Sequence, residues 1–277
     1  MKKGFLDILR CPDCKGTLSV TDDKIDGDEI VSGKLVCQGC QGTFPISEMG
    51  VPQMLPAALQ SETPQDEDFQ RKKIEMATRD EQVTVYDKLP LLLAFGRIEI
   101  PLSIKYAQLR PTDTLLEGGC GNGRMTQEFA RCVKRLVALD FSLASIHMNL
   151  ERLKSAGVTN VDLVQGDLSH LPMATDAFDR VVSCQVIEHL PSHDSRAKAI
   201  KEFSRVSKTG SKVVVTGYKY NLYERIFGTK QGEHPGKIPF FRFTKKEFKD
   251  LMEEGLKVEA IDGRLIYTWV ARSQNAK

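Results

Sequence analysis

No stretch of the 277-residue chain approaches a run of uncharged apolar residues long enough to span a membrane, which takes about 18. Met1-Lys2-Lys3-Gly4 leads into Asp7 and Arg10 rather than into the apolar core of a secretory leader, so the expected location is the cytoplasm. Charge of one sign is not in excess either. The 39 Lys and Arg against 37 Asp and Glu leave +2, too little for a global field that gathers nucleic acid or an anionic membrane. Internal repeats and low-complexity tracts are absent, which excludes solenoids and arrays. What remains is an ordinary soluble composition, 41% hydrophobic and 27% charged, sized for one medium domain with a small appendage.

Seven cysteines without an export leader read as metal ligands or free thiols rather than as a disulfide framework. Cys11-Pro12-Asp13-Cys14 and Cys37-Gln38-Gly39-Cys40 form two knuckles 22 residues apart, the spacing of a four-cysteine zinc site. Each knuckle aims two thiolates at one point, and four protein ligands leave no open position, so the zinc is expected to be structural. A segment of this size buries little core, and the metal is expected to supply much of its folding free energy. Residues Phe5 to Gly16, Leu35-Val36-Cys37, Phe44-Pro45-Ile46 and Gly50 to Leu55 resemble the Trm112-type zinc ribbon. That family includes small partners that bind and stabilise methyltransferases, which implies a partner fused here in cis. Asp22, Asp23, Asp26, Asp28 and Glu29 read as an exposed acidic loop.

The ribbon is expected over residues 1-56. Pro, Gln, Ser, Thr and acidic residues from Pro56 to Asp68 cannot form a core and read as a linker. Together with two or three helices broken at Pro90 and Pro101, they make a linker and helical cap over 57-108. Beyond this the chain alternates strand, turn and helix through 109-277. The expected strands are Thr114 to Glu117, Leu136 to Asp140, Val161 to Gln165, Phe178 to Ser183 and Lys212 to Gly217, followed by an antiparallel hairpin about Asp262-Gly263. The fold class is therefore α/β, with a doubly wound, mostly parallel sheet of seven strands and helices on both faces.

Chemistry is expected where the first of these strands meets its helix, at Glu117-Gly118-Gly119-Cys120-Gly121-Asn122-Gly123. Glycines let the backbone turn sharply and let a ligand approach the main chain. Asp140, ending the next strand 17 residues after Gly123, is placed to accept hydrogen bonds from the hydroxyls of a ribose. The turn departs from the G-x-G-x-x-G of dinucleotide sites. Gly119-x-Gly121-x-Gly123 after Glu117 resembles motif I of class I S-adenosylmethionine-dependent methyltransferases of the type 11-like kind, in a Rossmann-like fold. Val137 to Ser142, Gln165 to Pro172, and Phe178 to Ser183 with Val186 to Leu190 resemble the three motifs that follow. The resemblance implies S-adenosylmethionine as cofactor. Gly119, Gly121 and Gly123 would line its methionine part, Asp140 would hold the ribose, Asp167 with Leu168 beside it would accept from the adenine amino group, and Gln185 would face the methyl group and substrate; Glu117, Gly118 and Phe141 complete the expected cofactor-binding set. Cys120, Cys132 and Cys184 read as small buried fillers.

Methyl transfer from a sulfonium rests chiefly on proximity and orientation, with a base only where the acceptor must lose a proton. Candidates for that role are Glu188 and His189, and also Tyr86 and His234 if the cap and the late insertion fold over the cleft. Residues 218 to 246 set seven tyrosines and phenylalanines among Lys219, Arg225, Lys230, Lys237, Arg242, Lys245 and Lys246. Such a segment can wall a pocket for a small or lipid-like acceptor, or stack and clamp RNA. The expected function is methyl transfer to a small or lipid-like acceptor. The alternatives are rRNA base methylation with the ribbon gripping RNA, and a non-catalytic adapter that grips a partner through its ribbon.

Overall fold

The computed structural model describes residues 1–84, 90–265 and 267–277, with backbone alone at 23 and 90–96. In the ribbon, β1 (Leu18–Asp26) and β2 (Glu29–Cys37) pair antiparallel across a turn at Gly27, and β3 (Thr43–Pro45) adds to β2. The acidic stretch expected as a loop is instead the far end of this hairpin, with its turn confined to residues 27 and 28. Ile30, Leu35 and Cys37 of β2 are buried between more exposed neighbours, the alternation of a half-buried strand. The short strand β4 (Gln53–Met54) then leaves the ribbon and joins the main sheet.

Between ribbon and sheet lie α1 (Ala57–Gln60), α2 (Glu67–Gln82) and α3 (Pro90–Ala107). Asp66 caps α2, its carboxylate accepting from the Asp68 and Phe69 amides, and Glu67 and Asp68 favour the positive end of the helix dipole. Pro90 opens α3, but Pro101 does not break it as expected. The helix gives up one backbone hydrogen bond there and is held instead by buried Glu99 and Ser103, which bond to residues at the sheet's edge.

The catalytic-type domain follows as β5 (Thr114–Gly118), α4 (Thr126–Ala130), β6 (Arg135–Asp140), α5 (Leu143–Ser155), β7 (Val161–Gly166), β8 (Phe178–Ser183), α6 (His193–Val206) and β9 (Ser207–Tyr218). An insertion holds α7 (Leu222–Phe227) and the hairpin β10 (Gln231–His234) and β11 (Ile238–Phe241), and the chain ends in α8 (Lys245–Glu253), β12 (Lys257–Asp262) and β13 (Thr268–Gln274). The sheet runs β12-β13-β9-β8-β5-β6-β7-β4, parallel from β9 to β4 and antiparallel at β13. It has eight strands where seven were expected, because β4 pairs with β7 and Pro52 O accepts from Gln165 N. The order reverses between β5, β6 and β8, the switch point where doubly wound sheets bind ligands beyond their strand ends.

The ribbon is welded to this sheet rather than tethered to it. Phe5, Leu9 and Phe44 share one apolar core with Val137, Leu171, Phe178 and Phe203. Arg10 N donates to Pro172 O at 2.9 Å, Ala174 N to Ile8 O at 2.8 Å, and Lys15 bridges Leu171 O and Glu202. A Leu9→Ala substitution is therefore expected to cost about 2–5 kcal/mol by cavity formation. It should lower the melting temperature of the whole chain in one calorimetric transition, and a separate low-temperature transition for the ribbon would contradict the shared core.

Candidate functional site

The turn after β5 is bent by need. Gly119, Gly121 and Gly123 have φ of +79°, +52° and +88°. A Cβ on Gly119 would stand 2.2 Å from Val186 Cγ2, and one on Gly123 would stand 2.2 Å from Asn149 Oδ1. One on Gly121 would meet nothing, since that residue faces open space. The Gly119 and Cys120 amides donate to Leu139 O at 2.7 and 3.0 Å, tying the turn to β6. Asp140, at the end of β6, accepts from Gly121 N at 2.8 Å and Ser142 N at 2.9 Å. Burial raises its carboxyl above the usual range, and these amide bonds oppose the rise.

A cavity of about 810 Å³ opens over this turn. Glu117, Gly119, Gly121, Gly123, Asp140, Phe141 and Gln185 line it, together with His189, Tyr218, His234, Pro235 and Ile238. A smaller recess beside it is walled by Phe141, Asp167, Leu168, His189 and Leu190. Gly118 lines neither space. A Cβ there would come within 2.9 Å of Leu168 and 3.2 Å of Phe203, so this glycine lets β5 pack against α6 instead of touching a ligand. Tyr86 lies outside the described residues.

Three buried polar atoms on the cavity wall have no hydrogen-bond partner: Glu117 Oε2, Arg124 Nη1 and His234 Nε2. Burial pushes the Glu117 carboxyl up to about 8. Arg124 Nη2 pairs with Glu99 Oε2 at 3.1 Å, and the same oxygen accepts from Gln185 Nε2 at 2.6 Å. Gln185 itself has φ of +57° and is held by its amide on Thr216 Oγ1 at 2.8 Å.

The turn Ile187–His189 sends its side chains two ways. Glu188 points into the protein, lines no part of the cavity, and has both carboxylate oxygens unpartnered, with its carboxyl pushed up to about 8 by burial. It is therefore a neutral interior group, and the expected placement beside the reacting atoms is corrected. His189 faces the cavity. Its Nδ1 lies 2.8 Å from Pro239 O, and a carbonyl only accepts, so Nδ1 carries the proton and Nε2 keeps its lone pair. Burial, reinforced by the Arg79 cation, lowers its pKa to about 3. The His234 ring centroid is 5.7 Å from that of His189 and 4.7 Å from that of Phe240. Burial lowers its pKa too, again with help from Arg79.

Sequence reasoning expected a helical cap in this part of the chain but named none of the α2 residues that roof the site. Helix α2 lays Glu75, Arg79 and Gln82 on the cavity and Lys72 on the recess. Lys72 Nζ lies 2.7 Å from Asp167 Oδ2, with both groups buried, and Ser169 and His170 complete the carboxylate's partners. Although burial works the other way, Lys72 and these hydrogen bonds hold the Asp167 carboxyl well below the usual range. The carboxylate expected to meet adenine thus already meets a lysine of the same chain. Asp68 accepts from Ser192 and Ser195, Asp80 from Ser142 Oγ at 2.6 Å, and Thr78 Oγ1 donates to Gly236 O at 2.9 Å, so the roof is pinned to three loops. The only signal was a charged stripe at helical spacing, which ordinarily marks a solvated face. Glu99, the anchor of Arg124 and Gln185, carried no signal at all.

In the ribbon, the sulfurs of Cys11, Cys14, Cys37 and Cys40 all lie within 4.8 Å of one another, the one such group found among the described residues. Gly16 and Gly39 leave room for them, since a Cβ on either would come within 3.0 and 3.4 Å of a cysteine sulfur.

The sheet order, the glycine turn at the switch point and the attached cysteine ribbon define a Rossmann-like methyltransferase fold carrying a zinc-ribbon-like appendage. More particularly, residues 116–215 match the family described as Methyltransferase domain and residues 2–48 match the family described as Trm112p-like protein. Among relatives, a demethylmenaquinone methyltransferase of Thermobifida fusca is 28% identical over 49% of this chain and 57% of its own length. The chain spans about half the length of the curated relatives it matches. An S-adenosylmethionine-dependent methyltransferase from Aquifex aeolicus superposes with a TM-score of 0.57 at 16% identity, over 71% of this chain and 98% of that one. A chain from the complex between the Haloferax volcanii Trm112 methyltransferase activator and a methyltransferase superposes with a TM-score of 0.57 at 15% identity, over 72% and 98%. These two likenesses concern the fold.

The turn geometry separates two glycines that look alike in sequence. Gly119→Ala, which combines positive φ with a collision, should cost about 2–4 kcal/mol, whereas Gly121→Ala should cost only about 1–2 for its backbone conformation. Denaturant unfolding of the two variants measures the difference, and equal losses would contradict the close approach of Val186.

Proposed function

We propose that the chain is an S-adenosylmethionine-dependent methyltransferase acting on a small, lipid-like acceptor, with a structural zinc ion in its ribbon. The observation that carries the reading is that one cavity has both the glycine turn and His189, Tyr218, His234 and Ile238 on its wall. S-adenosylmethionine supplies an electrophilic methyl group on a sulfonium. Its amino-acid end carries an ammonium and a carboxylate, and Glu117 Oε2 and Arg124 Nη1 are an unpartnered acceptor and an unpartnered donor on the same wall. Gly121 leaves the main chain open to it, and Asp140 offers its remaining lone pairs to a ribose. An adenine amino group at Asp167 would share the carboxylate with Lys72.

On the acceptor side, His189 is neutral throughout the physiological range and too weak a base to remove a proton outright. Its Nε2 lone pair therefore orients a donor group of the acceptor. His234, partly exposed beside it, is the candidate to take the acceptor's proton. Helix α2 and the insertion both wall the cleft and fix what binds there, so that orientation rather than strong base chemistry lowers the barrier. The four cysteines would hold a zinc ion with protein thiolates alone, which would make its role structural rather than catalytic. Because the ribbon shares the core of the sheet, it acts in cis as a stabilising partner.

Two measurements test this. Labelled methyl from S-adenosylmethionine, offered in a cell extract, should appear in the organic-extractable fraction, and label in RNA would replace this reading with the ribosomal one. The neutral Glu117 carboxyl should ionise when an ammonium arrives, so binding at neutral pH should release close to one proton. Calorimetry in buffers of different ionisation enthalpy reads that release. Glu117→Gln should abolish it, and an unchanged release in that variant would remove Glu117 from the site.

A further inference from the structure

We infer that α7 docks the protein on an anionic lipid surface. The helix is inverted relative to an ordinary surface helix. Leu222, Tyr223, Ile226 and Phe227 fall on one stripe and are 70%, 66%, 63% and 74% exposed. Its polar residues are the ones that hold it down: Asn221 caps it through the Glu224 amide, and Glu224 pairs with Arg242 at 3.3 Å. Four large apolar side chains turned outward on one short helix form a contiguous patch, which water does not favour and an acyl boundary does.

Charge identifies the surface. Residues 218 to 246 hold seven cations against Glu224 and Glu233, in a chain whose total is +2, and although Lys230, Arg242 and Lys246 pair with Glu247, Glu224 and Asp250, Arg225, Lys237 and Lys245 stand exposed. Arg225 lies exposed on α7 itself, and Lys237 is exposed at the hairpin turn of the same insertion. An apolar stripe rimmed by cations is the pattern that binds phospholipid headgroups and buries side chains beneath them.

RNA fits less well. Leu222 and Ile226 offer no ring to stack on a base. Phe240 and Phe241 are covered by Arg242, Lys230 and Arg196, and Lys230 and Arg242 are themselves paired with Glu247 and Glu224. The placement also has a functional sense. Helix α7 is bracketed in the chain by Tyr218 and His234, both on the cavity wall, so a membrane beneath α7 faces the insertion that walls the cavity. The docking surface stands on the helix and its charges, independently of which acceptor is methylated.

The test is sedimentation of the full chain with vesicles of phosphatidylcholine and phosphatidylglycerol in equal parts, against phosphatidylcholine alone. The protein should partition to the anionic vesicles, and Leu222→Ser with Phe227→Ser should reduce this ~tenfold or more. Arg225→Glu with Lys237→Glu should remove the preference for phosphatidylglycerol. Calorimetric S-adenosylmethionine binding and the melting temperature should be unchanged in both, which separates loss of docking from loss of fold or cofactor site. Equal partition of the parent and the serine variant would overturn the proposal. So would a dimer, seen by light scattering, that the serine variant dissolves while vesicles bind neither form. Binding of a single-stranded RNA in place of vesicles would overturn it as well.

Discussion

Lys72 on α2 reaches Asp167 at the end of β7, and the two charges meet out of water at 2.7 Å. A buried pair of this kind adds little net stability, because desolvation offsets most of the Coulombic gain, but removing one partner leaves the other stranded at a cost of about 3–5 kcal/mol. The pair therefore selects an arrangement more than it strengthens one. It sets α2 over the strand ends, and from that position follow the contacts of Asp68, Asp80 and Thr78 and the placing of Glu75 and Arg79 on the cavity. Without α2 there, the glycine turn would open on solvent.

Electrostatics inside the cleft follow from this roof. Arg79 brings a cation near His189 and His234, and both imidazoles are held neutral by burial acting in the same direction as that cation. Glu117 and Glu188 are neutralised by burial alone at first order, but only Glu117 looks into the cavity. One carboxyl is thus poised to receive a positive ligand, and the other is packing. Position relative to the cavity separates two residues that burial treats alike.

The ribbon enters the fold through backbone and apolar contacts rather than through the metal site. Strand β4 caps the edge of the parallel sheet, and Phe5, Leu9 and Phe44 reach the same core as Phe203. Edge strands otherwise present unpaired amides and carbonyls, and a covalently attached strand satisfies β7 without a second chain. None of the four cysteines lines the cavity or the recess.

The sequence by itself determined what short-range patterns encode. The strand-turn-helix alternation predicted the parallel sheet, because apolar runs of strand length admit no other burial. The tight turn at Gly119, Gly121 and Gly123 and the strand end at Asp140 were legible from their spacing, Glu117 was singled out only through the motif it resembles, and the four cysteines were legible because two knuckles must converge. Tertiary structure alone decided the rest. Gly118 packs against Phe203, Glu188 turns inward while its neighbour His189 turns to the cavity, and Pro101 is absorbed within α3. Lys72, Glu75 and Arg79 had the pattern of a solvated face until the fold placed a cleft beneath them. Long-range pairing is the physical reason. A side chain's role here depends on which distant residue fills the space opposite, and nothing within a turn or two of the chain specifies that.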